Sequence, residues 1–73
     1  MNMPRFYFHI HDQDGTIPDT EGMVFPDVAS AKREGQNSAR ELLAAIGRAG
    51  HFSDGGRVEV VAEDGSVIAV YPF

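Results

Sequence analysis

The sequence predicts an α+β fold of ββαββ order, a small antiparallel sheet with one amphipathic helix packed on one face. Three observations carry this. Residues alternate with period two from Arg5 to His11, apolar residues recur at helical spacing from Val28 to Ala49, and two strand-like segments flank the turn dipeptide Asp64 and Gly65. A chain of 73 residues is too short for two domains, while 42% hydrophobic content with five Phe is more than a disordered chain carries. Residues 1–73 are therefore expected to form a single domain with one core.

In the first alternating segment Phe6, Phe8 and Ile10 fall on one side and Arg5, Tyr7, His9 and His11 on the other, the pattern of a half-buried strand. Asp12 to Gly15 has turn chemistry: Asp bonds its own backbone nearby and Gly accepts a positive φ. The strand that returns is interrupted at Pro18, which has no N–H to donate. Regular pairing is thus expected from Gly22 to Phe25, with the acidic stretch before it as a long loop or edge bulge.

Pro26 and Asp27 open the helix, Asp27 as N-cap. At about 100° per residue, Val28, Ala31, Gly35, Ala39, Leu42, Leu43, Ile46 and Ala49 form one stripe, opposite Arg33, Asn37, Arg40, Glu41 and Arg48. Gly50 suits the left-handed cap, so the helix is expected from Val28 to Ala49. The stripe is tapered, small at Ala31, Gly35 and Ala39 and large at Leu42, Leu43 and Ile46. Gly35 costs about 1 kcal/mol against Ala inside a helix, and close approach to the sheet is the simplest reason to keep it.

After a polar connector from His51 to Gly56, Arg57 to Glu63 and Ser66 to Phe73 read as strands joined by a two-residue type I′ turn at Asp64 and Gly65. That turn sets Ala62 opposite Val67, Val60 opposite Ala69 and Val58 opposite Tyr71 on one face. Val61 then opposes Ile68, and Glu59 opposes Val70, on the other. Both faces hold apolar pairs and one helix covers one face, so Val61, Ile68 and Val70, or else the Val60 and Val67 side, would stay exposed in a monomer, and a homodimer that buries the uncovered side is expected. Tyr7, His9, Val61, Ile68 and Val70 are the candidate interface residues.

Composition narrows the function. A formal net charge of −5 argues against nucleic acid as a partner, because phosphate neutralisation requires an excess of Lys and Arg. The charge is segregated: Asp12, Asp14, Asp19 and Glu21 crowd one segment, whereas Lys32, Arg33, Arg40 and Arg48 lie in the helix. Each region is suited to another protein of opposite sign. The absence of Cys excludes disulfides and thiolate metal sites. The N-terminus lacks signal-peptide features and no apolar run approaches the roughly 20 residues of a membrane span, so a cytoplasmic protein with no membrane partner is expected.

Candidates for chemistry are few. His9 and His11 lie two apart on one strand, so their imidazoles project from one face, and Asp12 stands near enough to complete a metal site. The plainer alternative is that a wet strand face carries polar residues at alternate positions anyway. The acidic segment lacks the register of a calcium loop. The serines have no strained elbow, there is no Cys, no triad can be argued and the glycines make no phosphate loop, so neither an enzyme nor a bound cofactor is expected.

The run Pro4 to Ile10, then Asp12, Asp14, Gly15, Asp19, Glu21, Gly22, Phe25 to Asp27, Ala31 to Glu34, and finally Glu63 to Gly65, resembles a family of short bacterial proteins classed only as a domain of unknown function. The family's N-terminal strand has the pattern P-R-[FY]-[FY]-F-[HD]. The resemblance spans nearly the whole chain and implies no activity; the family often has Ala at the position of Gly35. The order of Phe6 to Ile10, Asp12 to Gly15, Pro26 and Asp27, and Asn37 to Leu43 is also similar to that of HicB-type antitoxins. That similarity implies at most an inhibitor of a basic partner protein, since a closing hairpin stands here in place of a DNA-binding module.

Overall fold

The computed structural model describes residues 3–48 and 55–73. Their order is β1 (Arg5–Asp12), β2 (Gly15–Ile17), β3 (Met23–Val24), α1 (Val28–Arg48), β4 (Arg57–Ala62) and β5 (Val67–Pro72). This is the α+β arrangement the sequence predicts. All pairs are antiparallel: β2 and β3 share one side of β1, β4 lies on its other side, and β5 forms the far edge. No helix among the described residues is long and apolar enough to cross a membrane.

In the first hairpin Asp12 pairs with Gly15, and the Asp12 carboxylate accepts the Asp14 N–H at 2.8 Å. The returning strand differs from the expected Gly22 to Phe25. Only Met23 and Val24 pair there, with Phe6 and Arg5, while Gly15–Ile17 pairs with Ile10–Asp12. Two groups account for the break. Pro18 has no N–H for the ladder, and Gly22 turns the chain at φ 71° where a Cβ would stand 2.8 Å from the Phe6 carbonyl oxygen.

Helix α1 starts where its cap predicts: Asp27 Oδ1 accepts the Ser30 N–H at 2.7 Å. The helix extends to Arg48; Ala49, Gly50 and the connector as far as Asp54 lie outside the described residues. Its buried residues are Ala31, Gly35 and Ala39, whereas Val28 and Leu43, expected in the apolar stripe, are 44% and 47% exposed. Small residues bring the helix onto the sheet. A Cβ on Gly35 would lie 2.5 Å from Val60 Cγ2 and 3.2 Å from the Tyr71 ring.

The second hairpin keeps Val58 opposite Tyr71, Glu59 opposite Val70 and Val60 opposite Ala69, and then departs from expectation. Gly65 donates to the Ala62 carbonyl at 3.0 Å and Ala62 to that of Ser66 at 2.8 Å, so the loop is Glu63, Asp64 and Gly65. A type I′ turn needs positive φ at both central residues, and only Gly65, at 89°, has it. The third loop residue moves the register by one: Val61 opposes Val67 in place of Ile68, Ala62 faces Ser66 in place of Val67, and a bulge takes up Ile68.

The core holds Phe6, Ala31 and Val60, with Phe8, Phe25, Ala62, Ile68, Ala69 and Tyr71 packed around them. Phe25 closes the β1 side, its ring centroid 6.1 Å from Phe6 and 5.8 Å from Phe8, the latter edge-on. α1 rests mainly on β4 and β5, so the layer above the sheet is helix on one side and aromatic rings on the other. Among the described residues, the face left uncovered is accordingly the one with Tyr7, His9 and Val61.

Candidate interaction surface

Strand alternation fixes this face. From β1 come Tyr7, His9 and His11; opposite them in β4 stand Val61, Glu59 and Arg57; Val70 of β5 lies beside Glu59. Val67, opposite Val61, completes it. Val61 is only 9% exposed, whereas Val67 and Val70 are 54% and 46% exposed. An apolar patch thus lies towards the β5 side and a polar one towards β1. Ile68, expected on this face, is carried by the bulge to the other side, where it packs against the core.

The histidines stand where alternation puts them, but their nitrogens are engaged. The Asp19 N–H donates to His9 Nδ1 at 3.0 Å, which assigns the ring proton to Nε2. A metal on Nε2 would need that proton moved to Nδ1, against the Asp19 N–H. His11 Nδ1 lies 2.8 Å from Thr16 Oγ1, and its Nε2 lies 3.4 Å from Glu59 Oε1. Asp12, the third expected ligand, turns to the Asp14 N–H. Among the described residues no group of three or more His, Asp or Glu is placed to hold a metal ion. The Tyr7 and His9 rings stack in near-parallel planes, 12° apart with centroids at 6.4 Å.

Asp19 has a role that reading the acidic segment as a solvated loop misses. Its Oδ2 accepts the Phe8 N–H at 3.1 Å, and its Oδ1 accepts Gly22 N–H at 3.0 Å and Glu21 N–H at 3.3 Å. The side chain occupies the gap between β2 and β3 and gives β1 the acceptor that an unbroken strand would supply. Partial burial pushes the Asp19 carboxyl up, but the backbone bonds from Gly22, Phe8 and Glu21, with His9 nearby, outweigh it and hold the group below its ordinary 3.8. The signal was present in the sequence as an Asp three residues before a Gly, directly after a Pro.

Elsewhere Arg5 is held from two sides. Its N–H donates to Glu63 Oε1 at 2.6 Å, and its guanidinium donates to the Glu21 carbonyl at 2.8 Å. The basic residues Lys32, Arg33, Arg40 and Arg48 of α1 are all exposed. An apolar groove of about 450 Å³, lined by Met3, Phe6, Val28, Ala62 and Ile68, opens beside the start of the helix.

The family model of a domain of unknown function, DUF6894, matches residues 5–73, which is the whole of the described fold from β1 onwards. No curated protein and no solved structure matches the chain.

Proposed function

Since the chain belongs to the DUF6894 family, a domain of unknown function, we propose its function from its surface: it is a cytoplasmic protein-interaction module that works as a homodimer. The observation that carries this is the one-sided cover of the sheet. A single helix and the Phe25 ring shield one face, while the other presents Val67 and Val70 about half exposed beside Tyr7 and Val61. A domain of this size buries about 60% of its unfolded surface, and a chain without Cys has no disulfide to supplement it. Association supplies the missing burial, and the open face is suited to a flat protein surface. Its polar half, with His9, His11 and Glu59, sets orientation, and its apolar half supplies most of the contact energy.

Sedimentation equilibrium from micromolar to millimolar protein tests the reading. The expected mass rises to twice that of the 8.0 kDa chain. A single-chain mass at every concentration overturns it.

A further inference from the structure

The two edges of the sheet are unlike. On the β2–β3 side Pro18 removes an N–H, the chain leaves the ladder between Ile17 and Met23, and Asp19 fills the gap with a carboxylate. Asp12, Asp14 and Glu21 add charge along that side. These are the features that keep an edge from accepting another strand. The β5 edge has two of them, the bulge at Ile68 and Pro72, and no charge between them. Its sequence, Val67 to Pro72, carries no charge, and among the described residues only β4 pairs with it.

Its hydrogen-bond phase shows which groups are free. Phe73 donates to the Gly56 carbonyl at 2.9 Å, and in an antiparallel ladder every second residue faces the same neighbour. Tyr71 and Ala69, opposite Val58 and Val60, therefore face β4. Val70 turns its N–H and C=O outward, as does Pro72 its C=O.

We propose that β5 pairs antiparallel with β5 of a second copy about a two-fold axis at Val70, joining two sheets into one. This rests on the homodimer reading above but assigns the contact between copies to the β5 edge in place of the open face, which then serves the interaction with a different protein. The two Val70 residues exchange N–H···O=C bonds. The bulge at Ile68 and the ring of Pro72 bound the free stretch to Ala69, Val70 and Tyr71, and this fixes the register. On the helix side Ala69 of each copy then lies beside Tyr71 of the other, a small residue against a large one.

The helices fit the same symmetry. α1 rests on β4 and β5, so the two-fold would set the two helices side by side on one face of the joined sheet. The flank of α1 that would meet its copy carries Leu43, 47% exposed. It borders a groove of about 240 Å³ lined by Gln36, Ala39, Arg40, Leu43, Tyr71 and Pro72, which the same flank of a second copy would fill.

Solution mass and amide exchange of the full chain and two variants test the proposal. Val70→Pro removes the outward N–H, which an edge strand tolerates because β4 does not use it; Val70→Thr keeps it. Expected are a dimer for the parent chain, a Val70 amide that exchanges more slowly as concentration rises, and a dimer for Val70→Thr. Val70→Pro should keep the helical circular-dichroism signal and weaken association by at least about tenfold. Exchange on the unmodified chain decides the matter even if Val70→Pro misfolds. A dimer whose Val70 amide exchanges at the same rate at all concentrations overturns the edge pairing and leaves the homodimer reading standing; a monomer throughout overturns both.

Discussion

Asp19 shows how one side chain can stand in for a strand. Removing its carboxylate leaves the Phe8 N–H, partly buried in mid-strand, without an acceptor, a loss of about 1–3 kcal/mol. Asp19→Ala is expected to lower the thermal midpoint accordingly, and amide exchange should locate the change at Phe8 and Gly22. The same residue sets an acid limit. Its folded pKa lies below its unfolded value, so the unfolded chain takes up the proton first. Its contribution is complete above about pH 4 and is lost as pH falls through the lower folded value. A denaturant series between neutral and strongly acidic pH should therefore show stability falling below about pH 4, with a shallower fall in Asp19→Asn. Asp27 and Asp64 act in the same direction: Ser30 and Ser66 hold them low through hydrogen bonds from backbone N–H and side chain alike.

At the scale of the element, α1 contains the same residue in two opposite situations. Gly35 faces the stiff, fully buried Val60, so a methyl group there must displace the sheet. Gly47 is exposed near the helix end, where an added methyl group would meet nothing within 4 Å. Gly35→Ala is expected to destabilise by about 1–2 kcal/mol despite its gain in helix propensity. Gly47→Ala should stabilise by about 0.5–1 kcal/mol. Urea titrations of the two single variants would read opposite signs from one chemical change. Periodicity made β1 and α1 legible because each has a wet side and a dry side, while β4 and β5, apolar on both faces, were marked by the turn dipeptide between them. The break in the first hairpin and the three-residue loop of the second were not legible, for a common reason. Both depend on which backbone groups close a turn, and Asp64-Gly65 is compatible with either loop length until the φ of Asp64 is known. The misplacement of Ile68 follows from that one residue of loop. Half of the Asp19 arrangement lies in β1, so local sequence specifies its turn and not its partner.

For the whole molecule, the apolar half of the open face and the open edge both lie towards β5, while charge and broken pairing gather at β2 and β3. A dimer makes stability depend on concentration, because a partner that binds only the folded chain shifts unfolding by mass action. The thermal midpoint should rise as protein is concentrated from micromolar to millimolar, and an invariant midpoint would contradict association. Zinc should leave it unmoved, since the Asp19 N–H and Thr16 already engage His9 and His11.

The seam between β1 and β4 has a consequence in time. It joins Phe6–His11 to Arg57–Ala62, strands separated by the first hairpin and the entire helix. While the chain is being synthesised, the first hairpin and α1 are complete before the middle of the sheet exists, and Phe6 and Phe8 wait without the strand that buries Val58 and Val60 beside them. Closing so long a loop before any long-range contact repays it slows folding. β4 and β5, made after the helix, are thus the strands that commit the chain to its fold, and shortening it within β4 should release a helix with nothing to lie on.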